Sequence, residues 1–289
     1  MSNRIAIIDI GSNSVRYMEA ECTSGHVHSL YKELDTTRLA AGQDAAHRLQ
    51  PDPMRHTAGA VRSYASRAKA DGIPVYAYAT SALREASNAT EFLKQIGDAV
   101  PITILSGAQE GQMAYFGATG GRGTLLDIGG GSFQFATGDR FFSAPVGCVR
   151  FRDRIADATP EELYEHLCGW ADAYLSATET LPKPVIGVGG TITTLGALLL
   201  GQTVYNGSAL CRVTITTESL DRLLAMLTQM GERRKAHPLL HNRYDVILHG
   251  GTILKYLMNR LSISAVIPSD RDGMEGFAEA ILQRKISVK

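Results

Sequence analysis

The chain has 289 residues, which is enough for two domains that each bury a core. Lys+Arg and Asp+Glu both total 29, so the formal net charge is zero, and a polyanionic ligand requires a local basic site. No apolar stretch reaches the length of a membrane span, so the sequence predicts no membrane partner. We also expect no nucleic-acid partner. The four cysteines show no C-x-x-C spacing, which predicts a reducing, cytoplasmic location and argues against a zinc site.

The first half of the chain predicts strands that alternate with helices. Asn88, with Glu91 three residues later, is typical of a capping box that opens a helix. The predicted elements, in chain order, are strands at 3–10, 15–22 and 27–34 with a turn at Gly25, a loop at 38–50, a helix at 53–70, a strand at 75–80, a helix from 88 to 96, a short strand at 102–105 and a helix at 108–118.

The second half repeats this strand-rich opening. Thr159 followed by Pro160 and two acidic residues predicts a helix start, and Asn242 with Asp245 predicts another. The remaining elements are strands at 125–128, 132–137, 140–144, 185–188, 212–215 and 263–267, and helices from 160 to about 178, 191–200, 217–230, 242–260 and from 272 onward. Strands followed by helices, twice over, predict an α/β fold with mixed sheets.

One glycine-rich turn stands out in the second half. An apolar run ends in Asp127, the glycines Gly129, Gly130 and Gly131 follow, and Ser132 then opens a second strand. Consecutive glycines allow the backbone to approach an anion, so that N–H groups point at phosphate oxygens. Asp127 at the strand end can hold a divalent cation. The alternative is a plain hairpin, since glycine-rich hairpin tips are common.

The same pattern occurs near the N-terminus, where an apolar run leads into Asp9, Ile10 and Gly11 before a second strand. A third glycine turn occupies 187–193. A half-domain that repeats fixes the architecture. Two Asp-Ile-Gly hairpins about half a chain apart therefore predict two related domains that face each other across a phosphate-binding cleft.

These motifs resemble the exopolyphosphatase / guanosine pentaphosphate phosphohydrolase family, within the actin-like and sugar-kinase-like superfamily. The resemblance implies an α/β fold of two related actin-like (ribonuclease H-like) domains with an interdomain phosphate-binding cleft. The domains are predicted at 1–122 and 123–272, with the terminal helix at 273–289 packing back on the first, as in short members of the family. The segments that carry the resemblance are 9–16, 79–86, 105–110, 127–132, 145–150, 187–191, 243–247 and 269–276.

The resemblance also implies roles for individual residues. Glu110 matches the catalytic glutamate of the family's Ser-Gly-x-x-Glu motif, and the alternative is a first-turn glutamate that only interacts with the helix dipole. Arg84 follows a strand end, where its guanidinium can bind a phosphoryl oxygen; the alternative is a surface ion pair with Glu85 or Glu91. The predicted phosphate-binding residues are Gly11, Ser12, Asn13, Ser14, Arg84, Gly129, Gly130, Gly131, Ser132, Gly189, Gly190 and Thr191, and Asp9, Asp127 and Gln134 are predicted to position Mg²⁺ or Mn²⁺.

The sequence departs from the family at two such places. Gln134 replaces a glutamate, which removes a charge from the cation site, and Met274 replaces an arginine that binds phosphate. Gln109 also replaces a frequent acid. We expect a Mg²⁺-dependent phosphohydrolase that removes terminal phosphate from inorganic polyphosphate or guanosine pentaphosphate (pppGpp), and that forms a homodimer. The alternatives are a non-hydrolysing sensor of polyphosphate or guanosine penta/tetraphosphate, and a kinase-like phosphotransferase.

Overall fold

The computed structural model describes residues 4–23, 26–43, 45–138, 140–156, 158–175 and 181–283; the turn predicted at Gly25 lies outside them. The chain divides into two compact units. The first contains the described residues up to Gly117 and those from Gly273 onward, and the second is Ala118–Asp272. The part of the chain that the structure describes contains no helix with the length and hydropathy that a membrane crossing requires.

The first unit is built on a five-stranded sheet in the order β3-β2-β1-β4-β5. β1 pairs antiparallel with β2, which pairs antiparallel with β3, whereas β4 and β5 run parallel to β1. Its elements are β1 Arg4–Ile10, β2 Val15–Thr23, β3 His26–Asp35, α1 Pro51–Ala70, β4 Val75–Ala79, α2 Ser81–Arg84, α3 Ala89–Ile96, β5 Ile102–Ile104 and α4 Gly107–Thr119, which ends just inside the second unit.

The second unit is built on a six-stranded sheet in the order β8-β7-β6-β9-β11-β10. β6, β7 and β8 form an antiparallel meander, β9 and β11 run parallel to β6, and β10 is an antiparallel edge. Its elements are β6 Thr124–Ile128, β7 Phe133–Thr137, β8 Arg140–Ala144, α5 Cys148–Arg154, α6 Pro160–Ala171, β9 Val185–Val188, α7 Gly189–Leu199, β10 Ile215–Thr216, α8 Thr217–Met230, α9 Ile247–Arg260 and β11 Ala265–Pro268.

The two sheets share one topology. In each unit the first strand of an antiparallel three-stranded meander lies at the centre of the sheet. Two further strands follow on its other side and run parallel to it, β4 and β5 in the first unit and β9 and β11 in the second. This shared order confirms the predicted fold class of two related actin-like α/β domains. The cleft predicted between them stays a prediction.

The last helix, α10 Gly273–Leu282, belongs to the first unit. Side chains along β1 alternate between faces, as expected for a strand. Ala6, Ile8 and Ile10 join the core under α1 and α3, whereas Ile7 packs in the core that contains Phe277 of α10. Both faces of β1 are therefore covered, which explains its nearly continuous apolar sequence.

The close approach of α10 to α4 predicts a large effect on stability. A Cβ on Gly276 would lie 1.8 Å from the Met113 carbonyl oxygen, so Gly276→Ala must displace backbone. We expect a loss of about 3 kcal/mol in the free energy of unfolding, seen as a lower urea midpoint. Gly59→Ala in α1 is the matched control, because nothing lies within 4 Å of its Cβ, and it is expected to stabilise by up to about 1 kcal/mol. Equal midpoints for the two variants would contradict this packing.

Most predicted elements are present, with corrections at helix ends. The helix predicted to run to about 178 ends at Ala171, with Asp172 as its C-cap residue, and the Tyr256 hydroxyl donates to the Asp172 carboxylate at 2.7 Å. Of the predicted strand at 212–215, Arg212 ends a 3₁₀ helix at Gly207–Arg212, residues 213 and 214 have no regular structure, and a strand begins only at Ile215, spanning Ile215–Thr216. The predicted strand at 263–267 is Ala265–Pro268.

Two predicted helix caps are wrong because tertiary partners occupy the capping side chains. Asn88 bonds both backbone groups of Leu49, accepting from its N–H at 2.9 Å and donating to its carbonyl at 3.1 Å. Asp245 accepts a hydrogen bond from Arg152 at 2.7 Å, and α9 begins only at Ile247. The cap predicted at Thr159 is confirmed as a capping box with Glu162.

Candidate functional site

The turn between β1 and β2 presents two backbone amides in one direction. The Ser12 carbonyl accepts from the Ala40 N–H at 3.0 Å, and the Asn13 carbonyl accepts from the Arg38 N–H at 2.8 Å. In a trans peptide the following N–H points opposite to the carbonyl. The N–H groups of Asn13 and Ser14 therefore point away from the segment that contains Arg38 and Ala40, and they form no hydrogen bond among the described residues.

The turn between β6 and β7 is arranged in the same way. The Gly129 carbonyl accepts from the Cys148 N–H at 3.0 Å, and the Gly130 carbonyl accepts from the Val149 N–H at 2.9 Å. The first turn of α5 thus fixes both peptide planes, and the N–H groups of Gly130 and Gly131 point away from α5. Within the described residues these two amides donate to no acceptor. Adjacent free amides of this kind form an anion-binding nest.

The two turns correspond in detail. The Gly11 N–H donates to the Ser14 carbonyl at 3.0 Å, and the Gly129 N–H donates to the Ser132 carbonyl at 2.9 Å. In a plain hairpin the carbonyl groups at the tip need no hydrogen bond from elsewhere in the chain, whereas in both of these turns a separate segment donates to them. The turns are therefore fixed loops with outward amides, and their binding of phosphate stays a prediction.

A buried polar group lies in the first turn. Asn13 is 7% exposed, and its Nδ2 has no hydrogen-bond partner among the described residues. An unsatisfied buried donor costs free energy, and a phosphate oxygen would satisfy it. The neighbouring Ser12 hydroxyl contacts the Ser81 hydroxyl at 3.1 Å, so Ser12 also ties the turn to α2.

Asp9, predicted to position a cation, is paired with an arginine. Asp9 and Arg16 are directly opposite in the β1–β2 pair, and Arg16 Nε donates to Asp9 Oδ2 at 2.8 Å while its Nη2 bonds the same oxygen. Asp9 is 5% exposed. The guanidinium occupies Oδ2, so a cation positioned by Asp9 would contact the other carboxylate oxygen, Oδ1, directly or through water.

Asp127 and Gln134 are a directly opposed pair on β6 and β7. Gln134 is buried, and its Nε2 donates to Ser132 Oγ at 2.9 Å, so Ser132 and Gln134 lie on one face of the strand. The Asp127 carboxylate lies against the third glycine turn, because a Cβ on Gly189 would be 2.6 Å from Asp127 Oδ1. Any side chain at position 189 would clash with this carboxylate, so the position requires glycine.

The oxygen donors of Asp127 and Gln134 fit a hard cation. Mg²⁺ in phosphoryl-transfer proteins is commonly held by one or two carboxylates, waters and substrate phosphates, without a complete protein cage. The described residues contain no group of three or more His, Cys, Asp or Glu side chains placed to hold a metal. The cation role of Asp9, Asp127 and Gln134 stays a prediction.

The structure brings Arg84 and Glu110 together. Arg84 Nη1 donates to Glu110 Oε2 at 2.9 Å and to the Leu105 carbonyl at 3.0 Å. The side chains are 23% and 15% exposed, so the pair is partly buried. Glu85 is farther from Arg84, at 3.9 Å, and Glu91 pairs with Arg48, so neither predicted alternative partner is the main one. The other guanidinium nitrogens, Nε and Nη2, form no hydrogen bond among the described residues.

Gln109 has a capping role in addition to replacing an acid. Its side-chain oxygen accepts from the Ser106 N–H at 2.9 Å, and its own N–H donates to the Ser106 hydroxyl at 3.2 Å. This reciprocal pair is a capping box at the start of α4. The Glu110 N–H donates to the Ser106 carbonyl at 2.9 Å, so the cap fixes the turn that carries Glu110. The Ser-x-x-Gln spacing was visible in the sequence.

The third glycine turn opens α7 and is covered by an arginine that the sequence analysis did not select. A Cβ on Gly190 would lie 2.1 Å from Arg243 Nη1, so the guanidinium rests on the turn. The N-terminus of α7 carries unpaired amides and a positive dipole end, and Arg243 adds a full charge there. Arg243 and Gly190 are more than fifty positions apart in the chain, so their proximity is a tertiary contact.

Thr191 and Cys148 lie behind this turn. Thr191 is 3% exposed, and a Cβ on Gly250 would lie 2.4 Å from its hydroxyl oxygen. Burial raises the pKa of the Cys148 thiol, so it stays protonated at neutral pH, which suits a packing residue. Met274, where the family has an arginine, is 1% exposed in the core with Met18 and Phe277.

Comparison with known proteins gives consistent matches over nearly the whole chain. The profile of the Ppx/GppA phosphatase family matches residues 20–285. "Exopolyphosphatase 2" of Mycobacterium tuberculosis is 28% identical over 310 aligned positions, which cover 95% of this chain and 97% of the relative. The crystal structure of the Aquifex aeolicus Ppx/GppA family member superposes with a TM-score of 0.78 at 25% identity, covering 98% of this chain and 99% of the other. An exopolyphosphatase from Cytophaga hutchinsonii has the same fold, with a TM-score of 0.85 at 21% identity and 99% coverage of both chains.

Proposed function

Because the chain belongs to the Ppx/GppA phosphatase family, we propose that it hydrolyses the terminal phosphoanhydride bond of inorganic polyphosphate. The observation that carries the proposal is the pair of outward backbone amides at Gly130 and Gly131, which α5 fixes in place. Oriented amides bind phosphate oxygens without requiring a basic surface, and this suits a chain of zero net charge.

In the proposed reaction, Glu110 orients a water molecule for attack on the terminal phosphorus. Glu110 accepts from Arg84 through one oxygen, and the capping box at Ser106 fixes its helical turn. Phosphoryl transfer requires positioning and charge stabilisation more than covalent chemistry, so a fixed carboxylate is sufficient for this task. The N–H groups of Arg84 that are not bonded to Glu110 or Leu105 are then available to a phosphoryl oxygen.

We propose Mg²⁺ as the cofactor, with Mn²⁺ as a substitute. Asp127 and Gln134 would hold it, because they supply the carboxylate and amide oxygens that hard cations prefer. When bound, the cation offsets the negative charge that develops on the phosphate oxygens. Gln134 supplies no charge, so we expect the cation to bind weakly until substrate is present.

Guanosine pentaphosphate is the second proposed substrate, since its 5′-end carries the same terminal phosphoanhydride. A non-hydrolysing sensor of these ligands is a separate candidate, and the buried neutral Gln134 favours it, because a weakened cation site lowers turnover more than binding. Phosphate release from polyphosphate and from pppGpp with Mg²⁺, run beside an ATP-consumption assay, tests the proposal. Release without ATP use supports hydrolysis, whereas binding without release supports the sensor and ATP consumption supports a phosphotransferase.

Gln134→Glu is expected to strengthen the cation site. The change places a second carboxylate opposite Asp127, and one added charge at this range is worth about a kcal/mol or more. The Mg²⁺ concentration for half-maximal phosphate release should therefore fall by about tenfold, with a higher rate at low Mg²⁺. Gln229→Glu on the exposed face of α8 is the matched control and should change neither quantity. An unchanged Mg²⁺ dependence in Gln134→Glu would remove Gln134 from the cation site.

A further inference from the structure

A groove of about 640 Å³ lies on the second unit, away from the glycine turns. Its lining comes from one face of α6, from the turn that follows α6 and from the last residue of α5, and includes Arg154, Glu165, Gly169, Trp170 and Tyr174. The volume is in the range of small-molecule sites. None of the residues discussed above for phosphate or cation binding lines it.

The floor of the groove is open because of a glycine inside a helix. Gly169 lies in α6, is exposed, and a Cβ placed on it would meet nothing within 4 Å. Glycine inside a helix costs roughly 0.5–1 kcal/mol relative to alanine. No steric conflict requires glycine here, so its effect is to leave room between the neighbouring side chains.

One wall is a stacked cation and aromatic ring. The Arg154 guanidinium lies 4.2 Å from the centroid of the Trp170 ring. A guanidinium that lies over an aromatic ring keeps its N–H donors available for hydrogen bonds. Arg154 forms no ion pair or hydrogen bond within the described part of the chain. A planar, preorganised donor edge of this kind suits the oxygens of a phosphate group.

The lining also includes His166 and Ala173, and Tyr174 and Glu165 add an aromatic surface and a hydrogen-bond acceptor. Tyr174 is 42% exposed, so much of its side chain is accessible. Glu165 lies one helical turn before Gly169 on the same face of α6, is exposed, and has no ion-pair or hydrogen-bond partner among the described residues. Carboxylates in nucleotide sites commonly accept hydrogen bonds from ribose hydroxyls.

We propose that this groove binds a nucleoside monophosphate. Its phosphate contacts the edge of Arg154, its base stacks on Tyr174 beside the Trp170–Arg154 pair over Gly169, and its ribose hydroxyls donate to Glu165. Inorganic phosphate or a polyphosphate chain fits less well, because it has no planar group that can stack on the aromatic rings and because the negative charge of Glu165 repels it. The proposal does not depend on the hydrolytic function.

Trp170 provides the probe, because it is the only tryptophan of the chain. We would titrate the full-length protein with AMP and with GMP, follow tryptophan fluorescence excited where nucleotides do not absorb, and confirm binding by calorimetry. Inorganic phosphate and tripolyphosphate form the comparison series. A saturable change with a nucleotide at concentrations where both inorganic anions have no effect is the expected result. No response to either nucleotide, or an equal response to tripolyphosphate, would overturn the proposal.

Two variants locate the binding. Gly169→Gln places a long side chain on the open floor, where a Cβ meets nothing within 4 Å, and should abolish the nucleotide response, whereas Gly169→Ala is the matched control for helix stability. Arg154→Gln should weaken nucleotide binding by about tenfold or more, as expected for loss of a charge-assisted hydrogen bond. If both Gly169→Gln and Arg154→Gln bind nucleotide with parental affinity in calorimetry, the ligand binds elsewhere and the proposal is wrong.

Discussion

Glu110→Gln is expected to lower the turnover number for phosphate release by roughly 10²–10⁴ while substrate affinity changes little. Glutamine keeps the shape and can still accept from Arg84, which bonds Glu110 Oε2 at 2.9 Å, but it cannot act as a base toward water. The start of α4 is fixed independently by Ser106 and Gln109, so the fold should be retained. Steady-state phosphate release and equilibrium binding to polyphosphate separate the two effects.

Glu85→Gln is the matched control for this experiment. Glu85 also lies beside Arg84, with its Oε1 3.9 Å from Arg84 Nη2. Glu85→Gln therefore removes one negative charge near the same arginine, as Glu110→Gln does. We expect this variant to retain turnover within a few-fold of the parental rate. Turnover in Glu110→Gln as high as in Glu85→Gln would exclude Glu110 from the proposed mechanism.

Arg84→Lys is expected to raise the KM for polyphosphate by roughly 10–100-fold, the range expected from loss of one charge-assisted hydrogen bond. Arg84 bonds Glu110 and Leu105 through one nitrogen, so a second nitrogen must be available for a phosphoryl oxygen. Lysine keeps the charge but has no fork with which to contact protein and substrate together. Michaelis–Menten measurements with polyphosphate check this expectation.

Arg48→Lys serves as the control for Arg84→Lys, because Arg48 pairs with Glu91 at a site where both side chains are more than half exposed. An exposed pair of this kind contributes little. The KM should stay at the parental value in Arg48→Lys. The same outcome in Arg84→Lys would reduce Arg84 to a structural partner of Glu110.

The sequence predicted features that depend on local order. The two Asp-Ile-Gly hairpins follow from apolar runs that end in small residues, and the structure gives both turns the same internal hydrogen bond, at Gly11 and at Gly129. The alternation along β1 likewise follows from a local pattern. Repetition of the motif was enough to predict two related domains.

Features that depend on distant partners could not be predicted in this way. Asn88 has the sequence of a cap but bonds Leu49, and Asp245 bonds Arg152 across 93 positions. The position of Arg243 on Gly190 is equally non-local. Because capping is worth about 1 kcal/mol, a tertiary hydrogen bond of similar strength can redirect the side chain.

The pairing of Asp9 with Arg16 lies between these cases. The register of a tight hairpin places these two residues opposite each other, so the ion pair was accessible from the sequence once the turn was fixed. The pairing places an arginine beside the carboxylate that is predicted to position a cation. The contact between Gln134 and Ser132 was likewise accessible from the sequence, because side chains two positions apart on a strand share a face.

Hydrolysis in water labelled with heavy oxygen tests the central claim most directly. The protein is incubated with Mg²⁺ and polyphosphate of defined length in labelled water, and the released phosphate is analysed by mass spectrometry. Hydrolysis predicts that each released phosphate carries one oxygen from the solvent while the chain shortens one unit at a time, and that Glu110→Gln loses this signal. Polyphosphate that binds but stays intact, or phosphate that moves to another acceptor without gaining labelled oxygen, would contradict the proposed function.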